Sequence, residues 1–332
     1  MDISLNDLRA FAVRNRLDVI FQVRATEAAN DVVSHAYANI LAEDADLERI
    51  RAPVVSHDRA ESARRLERAQ ELFGGLLEPV PFILDSYTPY LSIWDPVSQW
   101  MGAEPALLAL ADRPAFMHAL AERLTAGYLG MLDQMEAQGL LTGPQPLIHC
   151  TGAWSDELPD STAPRRCRDL WMFGLAQVLG AASPRMFQEF EVAYASRICA
   201  RFGLVYYGCC DPLDRKLAQV RRLPNVRKVS MSPWADQARG AAGLGRDYVF
   251  SRKPNPSHLA MTGWDPELVR RDLLATRAIC TEHGCPLEYI LKDLSTVRHQ
   301  PQRLFDWARI AMEVVGAALP QGRGAGGVMV GG

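Results

Sequence analysis

The chain has 332 residues, 48% hydrophobic and 23% charged, the balance of a globular protein rather than of a disordered or fibrous one. With 36 Lys and Arg against 39 Asp and Glu the formal net charge is -3, which implies no global attraction to nucleic acid or to an anionic membrane. No run of about eighteen uncharged apolar residues is present to cross a bilayer. Residues 1–21 mix acids and arginines where a signal peptide needs an unbroken apolar stretch, so a cytoplasmic protein is expected.

Residues 1–75 are rich in Ala, Arg, Glu and Leu, and from about Ser56 to Phe73 apolar residues recur at helical spacing among charges. That pattern predicts amphipathic helices, interrupted by a candidate strand over 17–23. After Gly74 and Gly75 comes a β-like run and then a Pro- and aromatic-rich loop ending at Trp94-Asp95-Pro96. A loop of that composition covers or lines something, and the aromatics Tyr87, Tyr90, Trp94 and Trp100 suit a lid over a flat ligand or an interface. Residues 104–139 carry Leu, Ala and Met at helical spacing, with Pro114 opening the second helix of a pair.

From there the pattern becomes regular. Residues 146–150, 204–210, 226–232, 247–253 and 287–293 are short strand-like runs, each followed by helical periodicity, as in parallel βαβ units. No dinucleotide fingerprint follows the first of them, which favours a closed barrel over a doubly wound sheet. The expected architecture is α/β: a single (β/α)8 TIM barrel over 76–318, with an N-terminal helical extension over 1–75 packed on it. A flexible Gly-rich tail over 319–332 completes the chain.

Seven cysteines, odd in number and irregularly spaced, do not read as a disulfide framework; reduced thiols are expected, some of them metal-binding. Only Lys216, Lys228, Lys253 and Lys292 are lysine, the other basic positions being arginine. An ammonium is a compact donor with a tunable pKa, so these lysines mark candidate positions where guanidinium does not substitute. Chance and codon usage compete with that explanation for Lys216 and Lys228.

The unusual residues fall at the carboxyl ends of the predicted strands, which in a β/α barrel surround one mouth. Cys209 and Cys210 are delivered with Asp211 onto a turn marked by Gly208 and Pro212. Adjacent residues on an extended strand point to opposite faces, so one thiol is expected to look into the mouth and the other toward the helices. His149, beside Cys150, can share a metal with a thiolate from another strand end, or can be a hydrogen-bonded core histidine. Asp156 and Glu157 are candidate general acids or bases, or a solvated helix cap. Lys292 and Asp293 are a candidate catalytic lysine and metal ligand, or simply an ion pair. Arg252 and Lys253 suit a carboxylate or phosphate on a ligand, and Trp94, Tyr207 and Trp234 complete the candidate substrate-binding set. His149, Cys209, Cys210 and Asp293 form the candidate metal set.

The segments Arg51-Ala52-Pro53-Val54, Trp94-Asp95, Trp154 through Pro159, Phe202 through Leu213, Asn225 through Trp234, Tyr248 through Asn255 and Ile290 through Asp293 together resemble the uroporphyrinogen decarboxylase superfamily, which includes the cobalamin-linked methyltransferases. The resemblance runs from about Leu47 to Gly316. It implies a single β/α barrel with its active site at the strand carboxyl ends. In the methyltransferase branch zinc, held by a His-x-Cys pair and a later Cys, activates a thiol acceptor for methyl transfer from a corrinoid. Here the pair falls on Tyr207 and Cys209 and the later ligand on or near Asp293, so Cys209 matches while Tyr and Asp replace the other two. His149 or Cys210 is the candidate replacement. The decarboxylase branch uses an aspartate and arginines near the N-terminal part of the barrel, a signature this chain lacks. The expectation is a zinc-dependent methyltransferase or demethylase-like enzyme working with a corrinoid, free or carried by a partner protein, or with a small methyl donor, on a small-molecule substrate. The alternatives are a carboxy-lyase and a non-catalytic ligand-binding barrel. Homodimerisation through the barrel face is a further expectation, and neither nucleic acid nor membrane is an expected partner.

Overall fold

Strands of uninterrupted Val, Leu, Phe, Trp and Tyr suit a sheet that is covered on both faces. The computed structural model of the protein describes residues 23–25, 35–80, 91–141, 145–153, 155–159 and 165–316. The expected Gly-rich tail, most of the candidate strand over 17–23, Tyr87, Tyr90 and Trp154 lie outside the described residues. Two short strands, β1 (Val23–Ala25) and β2 (His35–Tyr37), pair antiparallel. Helix α1 (Arg59–Phe73) begins where Asp58 caps Glu61 N–H, and it buries none of its residues. The expected loop end at Trp94 is instead the start of a helix, α2 (Trp94–Met101), followed by α3 (Ala103–Asp112) and α4 (Pro114–Ala137). Pro114 opens α4, as predicted from its fixed φ and missing N–H.

The run over 146–150 departs from expectation. It folds as an antiparallel hairpin of β3 (Leu147–Ile148) and β4 (Thr151–Gly152), not as a strand of the parallel sheet. The strand in the main sheet is β5 (Trp171–Gly174), which lies in a stretch whose composition predicted only loop and helix. The sheet continues through β6 (Leu204–Tyr207), β7 (Val226–Met231), β8 (Val249–Arg252) and β9 (Leu287–Tyr289), all parallel and in sequential order. Leu91 N–H donates to Phe173 O at 3.3 Å, so the chain before α2 also meets the β5 edge. The protein is thus mixed α/β around a five-stranded parallel sheet. Among the described residues no helix is long and apolar enough to cross a membrane.

The two-residue period of the strands sorts side chains into two populations. Trp171, Phe173, Leu204, Tyr206 and Ile290 pack together on one face. Met172, Val205, Tyr207, Val229, Met231 and Phe250 join the larger core on the other, with Leu120 and Leu124 of α4 and other helix residues. The helices there include α5 (Pro184–Phe187), which runs through a π-helical turn, Gln188–Val192, into α6 (Ala193–Cys199). Further on, α7 (Leu217–Val220), α8 (Gln237–Leu244), α9 (Ser257–Ala260), α10 (Pro266–Glu282) and α11 (Gln302–Gly316) complete the helical layer. Each fully buried Leu, Val or Phe in this core contributes roughly 1.5–3 kcal/mol.

Strand β6 ends at Gly208, whose φ of +92° turns the chain abruptly into the two cysteines. A Cβ there would stand 2.4 Å from Leu213 Cδ1 and 3.2 Å from the Cβ of Ser230. Gly208→Ala therefore combines a strained backbone with a steric clash. It is expected to lower stability by about 2–4 kcal/mol, seen as a lower urea midpoint at unchanged slope.

Candidate functional site

Three chain segments meet beyond the carboxyl ends of the sheet: the β3–β4 turn with His149 and Cys150, the turn after β6 with Cys209 and Cys210, and the segment after β9 with Lys292 and Asp293. The Lys292 ammonium lies at their centre. Its Nζ is 3.1 Å from Cys209 Sγ, 3.7 Å from Cys210 Sγ, 3.5 Å from His149 Nε2 and 3.3 Å from Asp293 Oδ2. Every residue of the expected metal set is therefore gathered around a cation belonging to the chain itself.

The thiols do not diverge as an extended strand would have them. Because Gly208 ends the strand first, the two sulfurs lie 3.4 Å apart on the same side. Cys209 is only 8% exposed and Cys210 half-buried. The Cys210 thiol has one proton and two acceptors, Cys209 Sγ and Asp293 Oδ2, the latter at 3.3 Å. Its hydrogen bond to Cys209 is the largest influence lowering the Cys209 pKa, which the His149 hydrogen bond and the Lys253 charge depress further against the cost of burial. Cys210 keeps its proton, held up first by that same bond and then by burial. Cys209 is accordingly the thiolate of the pair.

Lys253 supports the cluster from below. Its buried Nζ donates to Cys209 O at 2.9 Å and to the Ser230 hydroxyl, while Ser230 Oγ donates to the same carbonyl at 2.5 Å. Burial pulls Lys253 down to about 8, partly offset by the Cys209 charge. The ammonium lies 5.4 Å above the Tyr206 ring, and Tyr206 shares a 2.7 Å hydrogen bond with Ser251. The His149 ring stacks on Phe173 at 4.1 Å, and burial lowers its pKa, so the imidazole is held neutral. His149 and Asp293 both have left-handed backbones, φ 55° and 60°. Asp and His are among the side-chain-bearing residues that enter this region most readily.

Other expected site residues fall elsewhere. Tyr207 faces the helices, and its hydroxyl donates to Glu191 Oε1 at 2.8 Å. Arg252, one residue before Lys253 and so on the opposite face, is buried against Ser232 O at 3.0 Å and the Asp272 carboxylate at 3.5 Å. Trp94 is packed edge-on against Phe190 and is fully buried rather than in a lid. Trp234 follows β7 and is 71% exposed. Glu157 pairs with Arg227 at the start of β7, the end away from the thiols, and Asp156 is an exposed neighbour on the same turn.

All four lysines occupy confined positions with several acceptors, as the contrast between ammonium and guanidinium predicts. Lys216 donates to Leu179 O and Gly180 O at 2.6 and 2.8 Å. Lys228 donates to Gly152 O and Glu288, both at 2.9 Å. Ser230, Tyr206 and Cys150 belong to the neighbourhood of the thiols, and Ser230 had no sequence signal beyond its place two residues before Ser232.

Glu191, on the π-helical turn, also carried no signal. It is buried beside Tyr207, and burial, with the Asp211 and Asp95 carboxylates adding, pushes it up to about 8 against the Tyr207 hydrogen bond. An acid raised in the fold stabilises it while protonated and loses that contribution as pH rises from the ordinary glutamate range through about 8. Glu191→Gln, which keeps the acceptor for Tyr207, should flatten this dependence and gain roughly 5 kcal/mol at pH 9, read from melting temperatures of both proteins across pH 5–9.

No protein-family model matches the chain, and no curated protein does. The geometry of the thiols yields its own measurement. Cys210→Ala removes the largest influence on Cys209, and the midpoint of its thiolate absorbance should shift to higher pH.

Proposed function

We propose that the protein is a β/α-barrel enzyme resembling the uroporphyrinogen decarboxylase superfamily, and that it transfers a methyl group using a thiolate-centred zinc site. The observation that carries this reading is the convergence of Cys209, Cys210, His149 and Asp293 on one point at the carboxyl end of a parallel sheet. The sequential strand order supports the barrel, as does the stacking of inward residues in levels: Lys228 with Glu288 near the amino ends, Tyr206 with Ser251 above them, and Lys253 with Lys292 at the mouth.

Two sulfurs, an imidazole and a carboxylate are a suitable donor chemistry for zinc. The 3.4 Å between the sulfurs is close to the about 3.8 Å that separates two thiolates on a tetrahedral zinc. Among the described residues no group of three or more His, Cys, Asp or Glu stands in ligating position. In this reading Lys292 would have to leave that position for an ion to bind between the four side chains, and its ammonium would then be available to a substrate anion. Zinc with an open position holds a thiol acceptor as thiolate and so keeps it nucleophilic at neutral pH. The chain's own groups do the rest. His149, neutral and fixed by Phe173, presents a ring nitrogen. Lys253 fixes the Cys209 carbonyl and thereby the thiolate. The methyl donor in this proposal is a corrinoid or a small methylated molecule.

A second reading, a carboxy-lyase, is favoured by one observation: Lys253 and Lys292 are two confined ammonium groups at the same mouth. They suit a substrate carboxylate and the charge that develops as carbon dioxide leaves. Metal content separates the two. The methyl-transfer reading expects about one zinc per chain in the parent protein and none in Cys209→Ser. A parent chain that takes up no zinc on reconstitution removes that reading and leaves the lysine-based one.

A further inference from the structure

We propose that Cys209 and Cys210 are a reversible redox site, closing to a vicinal disulfide under hydrogen peroxide and thereby withdrawing both thiols from the chemistry at the mouth. The inference deepens the thiol-dependent reading, on which its functional consequence rests, by naming how that site is regulated. The disulfide itself rests on geometry alone.

Four observations carry it. The sulfurs are 3.4 Å apart, so bond formation needs a small rotation of two side chains and no movement of separate elements. The left-handed turn at Gly208 puts both side chains on one side, where a continued strand would have parted them. Lys292 Nζ is 3.1 Å from Cys209 and 3.7 Å from Cys210, which distinguishes an attacking sulfur from a resolving one. Cys210 is the more accessible of the two, so oxidant and reductant reach the pair from the mouth.

The step balances. The Cys209 sulfur, 3.1 Å from the Lys292 ammonium, attacks peroxide; the O–O bond breaks, a sulfenic acid forms, and the departing hydroxide takes a proton from solvent to leave as water. The Cys210 sulfur then attacks the Cys209 sulfur; the S–S bond forms, the S–O bond breaks, and the departing hydroxide takes the Cys210 proton as water. Two electrons pass from the dithiol to peroxide, which ends as water. Adjacent residues hold their Cα atoms about 3.8 Å apart, less than the about 4.4–6.8 Å of ordinary disulfides. The product is consequently strained and readily reduced, the property of labile rather than structural disulfides. In the closed form Lys292 retains Asp293 as its partner.

The sequence supplies a clean readout. Arg201 and Arg215 bound a tryptic peptide, Phe202 to Arg215, that contains Cys209 and Cys210 and no other cysteine. The full chain, stripped of metal by chelator and reduced, is treated with stoichiometric peroxide, alkylated and digested. The expected result is a peptide about 2 Da lighter than the dithiol, carrying no alkyl group, that becomes doubly alkylated after dithiothreitol. In Cys210→Ser the resolving thiol is gone, and Cys209 should pass to sulfinic acid that dithiothreitol does not recover. Two alkylated cysteines after peroxide, or a cross-link to the peptide carrying Cys150, would overturn the proposal. So would full recovery of Cys209 in the variant. A chain that binds no zinc yet closes the pair would remove the zinc reading and leave this one standing.

Discussion

A thiolate and an ammonium in a poorly hydrated pocket hold each other there, and the geometry of the mouth depends on that pairing. At an effective dielectric of about 20, opposite charges 4 Å apart attract by about 4 kcal/mol, against about 1 kcal/mol in water. Cys209 and Lys292 are 3.1 Å apart, with the Lys292 side chain 11% exposed. Asp293, 53% exposed, completes the charge balance at the rim. The segments that carry these groups have little regular structure of their own, and the shared charges give them a common meeting point. The same pairing makes Lys253 tolerable in its buried place, since its ammonium is stabilised by the thiolate as well as by a carbonyl and a hydroxyl.

Strand alternation then decides which neighbours in sequence share a task. Tyr206 stacks toward the mouth face while Tyr207 reaches Glu191 among the helices. Ser251 and Lys253 stand on one face and Arg252 between them on the other, tied to Asp272 of α10. Two adjacent cations thus do different work: the guanidinium locks a helix to the sheet, and the ammonium shapes the thiol site. The continuation of β9 repeats the pattern, with Glu288, Ile290 and Lys292 alternating along the same inner face.

The strands at 204–207, 226–231, 249–252 and 287–289 were legible because β-branched and aromatic residues concentrate there between turn signals. β5 was not, since Trp-Met-Phe-Gly is too short to show a period and is apolar on both faces. The hairpin at His149 was misassigned for a related reason: a two-residue apolar strand reads alike in parallel and antiparallel pairing. The four candidate metal residues were selected by their place at predicted strand ends; the structure gathers them around the Lys292 ammonium, although among the described residues no three of them stand in ligating position. Their orientation was lost at Gly208, where one positive φ overrides the alternation that the cysteines would otherwise obey. Arg252 was selected by its place at a predicted strand end, Tyr207 by the resemblance and Glu157 as a loop carboxylate, and the face or strand end on which each lies puts it outside the cluster.

The left-handed backbone at Asp293 bears on why this position is an aspartate. The local conformation at Asp293 is one that Asp and Asn enter far more readily than most other side-chain-bearing residues. The backbone therefore limits which side chains this rim position can carry: a short carboxylate or amide enters the turn at little cost, whereas a β-branched or bulky side chain would strain it.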